Sequence, residues 1–285
     1  MAMSPRIEIA AHVGVCYGVE RALDLANRAG DEASGAPVHT LGPLIHNPIV
    51  VRELEERGVR LAETLDDVEE GTLVIRAHGV VPEVVESARK RGLTVLDATC
   101  PYVKKAHHAA EKLASEGYQL IVVGEPGHPE VEGIMGHAGS GACVVSTPVD
   151  LDGLALNHKV GIVVQTTQTA AALTAVVDAL LPRVGELRVV NTICEATQER
   201  QDSAAELAAR ADVMIVVGGR NSGNTRRLEQ ICAERCERTH HIEDAAELED
   251  DWFAGAGLIG VTAGASTPAS HIDRAVAAIR TATGA

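Results

Sequence analysis

Along the chain, short runs of Val, Ile and Leu alternate with longer amphipathic stretches, and a Gly- or polar-rich turn separates the two each time. A short apolar run that ends in such a turn reads as a buried strand. The stretch that follows, apolar at helical period, reads as a helix. This alternation predicts an α/β fold with largely parallel sheets. Three segments of the chain each contain three such units, which makes an internal repeat.

The leading unit of each segment carries a cysteine at the same place. A strand over 6–10 runs into Cys16 and a helix from Val19 to Ala29. A strand over 93–97 runs into Cys100 and a helix from Val103 to Ala114. A strand over 187–191 runs into Cys194 and a helix from Gln198 to Ala209. In the first segment, 39–46 leads into a helix at 50–57, and 73–77 leads through His78 and Gly79 into a helix at 82–91. In the second, 120–123 precedes the loop 124–130, and 160–164 precedes Gln165-Thr-Thr-Gln168. In the third, 213–217 precedes 218–224, and 258–262 precedes Ala263-Gly-Ala-Ser-Thr-Pro268. The expectation is three similar α/β/α lobes in a pseudo-threefold arrangement, at 18–100, 101–190 and 191–280, with the N-terminal strand 1–17 counted with the third. Loops at the carboxyl ends of parallel strands are where open α/β sheets bind ligands. Three lobes facing one centre would therefore gather three cysteines and six polar loops.

Composition narrows the class. Hydrophobic residues make up 46% and aromatics only 2%, so the core has to be built from Ala, Val, Leu and Ile. The apolar runs are too short to span a bilayer, and residues 1–9 have no apolar segment of signal-peptide length. The expectation is a cytoplasmic protein with no membrane partner. A formal charge of −15 without a block of Lys or Arg argues against nucleic acid, which leaves a basic footprint on its binders. An anionic small molecule remains compatible, provided helix N-termini, His and Asn supply the donors.

Six cysteines, at 16, 100, 143, 194, 232 and 236, contain no C-x-x-C pair, which excludes a zinc ribbon or a local ferredoxin run. Cys16, Cys100 and Cys194 sit at matched strand-to-helix junctions. There the helix dipole favours a thiolate, and three thiolates suit a central 4Fe–4S cluster with one iron left without a protein ligand. Cys143 reads as core, and Cys232 with Cys236 as two thiols on one helix face.

The polar loops supply the remaining chemistry. His46, His78 and His128 each follow a strand and precede a helix, where imidazole can donate to phosphate oxygens. The other histidines considered, at 12, 39, 107, 137, 158, 240 and 241, read as solvated or core residues. The loops 218–225 and 263–268 both precede helices and look like anion cradles. Glu130 is the candidate general acid: a carboxyl group desolvated in a Gly/Pro loop can keep its proton near neutrality. An ordinary first-turn glutamate is an equally good reading of it. Thr166 and Thr167 could orient a substrate hydroxyl.

Taken in order, nine motifs resemble the LytB/IspH family of 4-hydroxy-3-methylbut-2-enyl diphosphate reductases across nearly the whole chain. They are Gly14-Val-Cys-Tyr-Gly-Val-Glu-Arg-Ala22, His46-Asn47, Ala77-His-Gly-Val80, Asp97-Ala-Thr-Cys-Pro101, Gly127-His-Pro-Glu-Val-Glu-Gly133, Gln165-Thr-Thr167, Ile193-Cys-Glu-Ala-Thr197, Asn221-Ser-Gly-Asn224 and Thr262-Ala-Gly-Ala-Ser266. The resemblance implies a 4Fe–4S cluster on Cys16, Cys100 and Cys194. It implies that His46, His78, Ser222, Asn224 and Ser266 grip a diphosphate, with the Gly223 backbone beside them. It places His128, Thr166 and Glu130 near an allylic hydroxyl. The implied reaction removes that hydroxyl with two electrons and two protons, giving isopentenyl and dimethylallyl diphosphate in the last step of the methylerythritol phosphate route. Ferredoxin or flavodoxin would donate the electrons, and either a monomer or a homodimer would serve.

Two positions depart from the family pattern. Gly223 stands where a second serine is common, which puts one hydroxyl contact to the diphosphate in question. Tyr17 is bulkier than the residue often found after the first cysteine. Three alternatives stay open on sequence alone: a paralogous iron–sulfur enzyme acting on another diphosphate or allylic substrate, a redox sensor, and a cluster-free anion-binding protein.

Overall fold

The computed structural model describes residues 4–33 and 35–285. In chain order its helices and strands are β1 (Arg6–Ile9), α1 (Tyr17–Glu32), β2 (Val38–Leu41), α2 (Pro48–Glu56), β3 (Val59–Ala62), β4 (Thr72–Ile75), α3 (Pro82–Lys90), β5 (Thr94–Asp97), α4 (Pro101–Ser115), β6 (Gln119–Val123) and α5 (Pro129–Ala138). There follow β7 (Cys143–Val145), β8 (Lys159–Val164), α6 (Ala170–Leu180), β9 (Glu186–Val190), α7 (Glu195–Ala208), β10 (Val213–Val217), α8 (Gly223–Ala233), β11 (Thr239–Ile242), β12 (Leu258–Ala263) and α9 (Ala269–Thr283). Short 3-10 turns fill several connections.

The strands form three parallel four-stranded sheets, in the orders β3-β2-β4-β5, β7-β6-β8-β9 and β11-β10-β12-β1. Each order is second, first, third, fourth, so one topology is used three times. The third sheet starts at β10, and the N-terminal strand takes its fourth place, with Ile9 opposite Val261. The α/β class and the triple occurrence of the unit are as the sequence suggests.

Two details differ. The strand ahead of each cysteine is the last strand of its sheet rather than the leading one of the next segment. Thr94–Asp97, for example, follows the short helix α3 and pairs in register with Thr72–Ile75, as a strand–helix–parallel-strand connection requires. Each sheet also has an outer strand that the periodicity missed: β3, β7 or β11. These are short and, in β3 and β11, interrupted by Arg60 or by His240 and His241, so their alternation is too weak to read. Cys143 accordingly lies on an edge strand, half-buried against the core rather than within it.

The central strands are buried on both faces, as parallel sheets demand. Val213, Ile215 and Val217 of β10 face Ile272, Val276 and Ile279 of α9, while Met214 and Val216 face Leu207, Leu228 and Cys232 on α7 and α8. In the second sheet, Ile121, Val123 and Ile162 face Leu173, Val176 and Leu180 of α6. Leu120, Val122 and Val163 face Ala106, Ala110, Leu113, Val131 and Ile134 on α4 and α5. Branched aliphatics thus fill the interior in place of aromatics. At roughly 1.5–3 kcal/mol for each fully buried aliphatic side chain, these faces dominate the cohesion of each layer.

The chain divides into two compact units. One takes the residues up to Val19 with His46–Pro48 and Glu195–Ala285, and the other takes Glu20–Ile45 and Ile49–Cys194. The first holds the sheet that joins both ends of the chain, and the second holds the other two sheets. Among the described residues, no helix is long and apolar enough to cross a membrane.

Candidate active site

Each of the three cysteines occupies the same structural position. Cys100 is the N-cap of α4, and Cys16 and Cys194 directly precede α1 and α7. In every case the cysteine N–H donates to a carbonyl in the loop that follows the third strand of its own sheet. Cys100 donates to Ala77 at 2.9 Å, Cys194 to Thr166 at 3.0 Å, and Cys16 to Ala265 at 3.2 Å. The next residue in each of those loops is His78, Thr167 or Ser266. The repeat therefore extends to one hydrogen bond per sheet, tying each cysteine to a polar loop. All six cysteines are free thiols; Cys16 and Cys100 are half-buried and Cys194 is buried.

In the unit that holds Cys100 and Cys194, the centre of the polar cluster is Glu130, only 2% exposed. Its Oε1 accepts from the Thr166 N–H at 2.6 Å and its Oε2 from the Thr166 hydroxyl at 2.9 Å. Burial raises its pKa from 4.5 to about 7, against the lowering effect of both Thr166 bonds, because desolvation penalises the carboxylate. His128 caps α5: its Nδ1 accepts from the Glu130 N–H at 3.1 Å, which puts the ring proton on Nε2 in the neutral form. The rings of His128 and His78 meet edge to face, 5.7 Å between centroids. Glu130, Thr166, His128 and His78 thus belong to one side-chain cluster. Gln165, given no individual role by the sequence reading, braces it by accepting from the Glu125 N–H at 2.9 Å.

The other unit contains the candidate anion cradle. Ser222 is the N-cap of α8 and accepts from the Thr225 N–H at 3.3 Å, leaving its own hydrogen to point elsewhere. Gly223 opens the helix, so its N–H is among the donors that an α-helix cannot satisfy internally. Asn224 is 4% exposed, yet neither its amide nitrogen nor its oxygen has a hydrogen-bond partner among the described residues. The same holds for the hydroxyls of Thr225 and Thr262. Buried polar groups left unsatisfied cost free energy, so Asn224 and Thr225 in the first turn of α8 make this helix start the candidate place for a polar ligand. His46 and Ser266 belong to the same unit: the Ser266 hydroxyl donates to the His46 carbonyl at 3.2 Å, and Asn47 Nδ2 donates to the Ser266 carbonyl at 2.8 Å. Ser266 therefore anchors the His46 loop through its side chain.

The sequence reading gave Thr225 and Thr262 no individual role, although both lie in segments it singled out, and it missed Arg200. The Arg200 guanidinium, 6% exposed, donates to the Gly14 carbonyl from Nε at 3.2 Å and from Nη2 at 2.7 Å, and from Nη1 to the Ala196 carbonyl at 2.6 Å. It fastens the segment leading into Cys16 to α7. An arginine in a helix otherwise rich in charge gives no sequence signal of burial. Tyr17, the bulky departure, opens α1 with its side chain 64% exposed.

Among the described residues, no group of three or more His, Cys, Asp or Glu side chains is arranged around a single metal ion. A cuboidal cluster takes one thiolate per iron, so its ligands are separate thiols of the kind these helix starts provide.

Parallel four-stranded sheets, each followed by a cysteine at a helix start, define an α/β protein. The chain belongs to the LytB protein family, whose description it matches over residues 7–280. It is 50% identical over 272 residues to the 4-hydroxy-3-methylbut-2-enyl diphosphate reductase of Geobacter sp. (strain M21), covering 95% of each chain. It is 47% identical over 274 residues to the reductase of that name from Pelobacter propionicus, covering 96% of this chain and 97% of the relative. A solved structure of (E)-4-hydroxy-3-methyl-but-2-enyl diphosphate reductase, the terminal enzyme of the non-mevalonate pathway, matches with a TM-score of 0.71 and 45% identity over 98% of this chain and 100% of that one. The E-1-hydroxy-2-methyl-but-2-enyl-4-diphosphate reductase from Plasmodium falciparum matches with a TM-score of 0.93 and 28% identity, over 98% and 89%.

Proposed function

We propose that this chain is a cytoplasmic reductase of (E)-4-hydroxy-3-methylbut-2-enyl diphosphate. It removes the allylic hydroxyl to give isopentenyl and dimethylallyl diphosphate at the end of the methylerythritol phosphate route. Its 285 residues work as three lobes, 18–100, 101–190 and 191–280 with 1–17. Cys16, Cys100 and Cys194 hold the 4Fe–4S cluster: the three share one helix-start position and one backbone hydrogen bond, and thiolates suit this donor set. When bound, such a cluster supplies electrons singly, from ferredoxin or flavodoxin, and offers a Lewis-acidic iron that lacks a protein ligand.

The reaction breaks one C–O bond, forms one C–H bond, takes up two electrons and two protons, and releases water. The observation that carries this reading is Glu130, a buried carboxyl group whose pKa is raised to about 7, so that it holds a proton to give at neutral pH. It delivers that proton to the departing hydroxyl oxygen. Thr166, bonded to both carboxyl oxygens, fixes the direction of delivery, and its hydroxyl lies at the site to orient the substrate hydroxyl. His128 sets the start of α5 and with it the Glu130 backbone. His46, His78, Ser222, Asn224 and Ser266 grip the diphosphate, with the Gly223 N–H contributing in place of a hydroxyl.

The test is anaerobic purification followed by iron and sulfide assay and turnover of the hydroxylated allylic diphosphate with a reduced dye. Iron and sulfide in cluster proportion together with both isomeric products are expected. A protein loaded with cluster that leaves this substrate unchanged would refute the assignment.

A further inference from the structure

The sequence gives His241 no role: it is one of two adjacent histidines on the edge strand β11. In the structure its side chain is only 7% exposed and both ring nitrogens are engaged. Nε2 lies 2.8 Å from the Gly218 carbonyl oxygen, and Nδ1 lies 3.1 Å from Glu229 Oε2 on α8. A carbonyl and a carboxylate are both acceptors. A neutral imidazole has a single N–H and can serve only one of them, so the pair of contacts calls for a proton on each nitrogen.

Gly218 is where the anion cradle begins. It adopts φ +146°, and an added Cβ would lie 2.7 Å from Thr267 Oγ1 and 2.9 Å from Thr225 Oγ1. The Gly218 N–H is held as well, donating to the Ile242 carbonyl at 2.9 Å. With the carbonyl turned to His241 and no cis peptide bond among the described residues, the Gly219 N–H must face the opposite side of the loop. The loop then runs directly into Ser222, Gly223 and Asn224. Arg220, the charged side chain of this loop, is paired with Glu243 and Glu247, and the donors offered by Ser222, Gly223 and Asn224 are neutral hydroxyl, backbone and amide groups.

We infer that His241 is a positioning residue for the diphosphate: an imidazolium, tethered by Glu229, that fixes the Gly218–Gly219 peptide at the start of the cradle loop. The inference rests on the diphosphate reading of this site.

It is tested by calorimetric titration of inorganic pyrophosphate into the anaerobic holoprotein, as wild type, His241→Leu, His241→Gln and Glu229→Gln. 15N spectra of histidine-labelled wild type accompany the titration. His241→Leu is expected to weaken binding about tenfold or more, the loss of one charge-assisted hydrogen bond. His241→Gln, which keeps a donor for Gly218 but no charge, falls between, and Glu229→Gln loses less than His241→Leu. The spectrum is expected to show a proton on both His241 nitrogens. Unchanged affinity in the His241 variants, or a neutral tautomer in the spectrum, overturns the role of His241 while wild-type binding leaves the diphosphate site standing. A wild type that ignores pyrophosphate overturns both. Should His241→Leu fail to fold, the His241→Gln titration and the wild-type spectrum decide.

Discussion

Thr166 holds Glu130 by both carboxyl oxygens, through its backbone N–H at 2.6 Å and its hydroxyl at 2.9 Å, and its own carbonyl accepts from the N–H of Cys194 at 3.0 Å. One residue therefore joins the acid to the loop of a cysteine. Because the carboxyl group is fully desolvated, its folded pKa of about 7 lies above the ordinary 4.5, and its protonated form is the one the fold favours. Any stability this group contributes is complete below the unfolded value and is lost as pH rises through about 7.

The same shift governs the reaction. Turnover in the holoprotein should be limited by protonated Glu130 and fall as pH rises past about 7. Glu130→Gln should lose roughly 10²–10⁴-fold in kcat, the usual share of a general acid, with the cluster absorption intact. Rate against pH and the visible spectrum of the variant check both points.

Thr166→Val removes a hydroxyl bond that lowers the Glu130 pKa while keeping the backbone one. The alkaline limb of the rate profile should then move to higher pH, even as the maximal rate drops. A limb that stays in place would show that another group sets it.

Substituting Cys16, Cys100 or Cys194 by serine should each lower the iron and sulfide content of the anaerobically purified protein. Cys143→Ser and Cys232→Ala should leave it unchanged. Burial, with the neighbouring Cys236 adding to it, pushes the Cys232 thiol up to about 12, so it is held as an unreactive core side chain. The cost of Cys232→Ala should be confined to about 1 kcal/mol of packing.

Asn224 and Ser222 should separate in thermal unfolding. Ser222 caps α8, so Ser222→Ala should cost about 1 kcal/mol of stability with or without ligand. Asn224 is buried with its amide unsatisfied among the described residues. Asn224→Ala should therefore leave the Tm of the ligand-free protein unchanged or raise it, while shrinking the rise that pyrophosphate produces.

His107 on α4 stacks on His137, 4.2 Å between ring centroids. It also lies where a Cβ on Gly79 would come 2.6 Å from its Cε1, so only glycine lets the turn after His78 close on it. Burial, with His137 and Lys104 assisting and Asp97 opposing, lowers its pKa from 6.5 to about 4. The neutral ring's contribution is complete above the unfolded value and is lost as pH falls from 6.5 through about 4. It amounts to up to about 3 kcal/mol. Denaturant midpoints measured across that range should decline in the wild type and flatten in His107→Gln.

Much of this was legible along the chain. The alternation of apolar runs and amphipathic stretches is local, so it revealed the α/β class and the repeated unit, and the motifs around Cys16, Cys100 and Cys194 pointed to the family. The outer strands β3, β7 and β11 were not legible, because three or four residues with polar interruptions carry almost no period. Arg200 and His241 were also hidden. Their roles depend on carbonyls of Gly14 and Gly218 that are far away in sequence, and a carbonyl has no residue identity to signal.

The amino-acid order alone determined most of the segments that become strands and helices, where the thiols and the candidate acid fall, and that the interior is aliphatic. Those properties follow from side-chain chemistry and short-range periodicity. Only the tertiary structure decided that β1 completes the sheet begun by β10, that each cysteine N–H reaches the loop after its sheet's third strand, and that Glu130 is buried deeply enough to push its pKa upward. Strand pairing and desolvation are set by neighbours brought together from distant parts of the chain, and no window of sequence contains them.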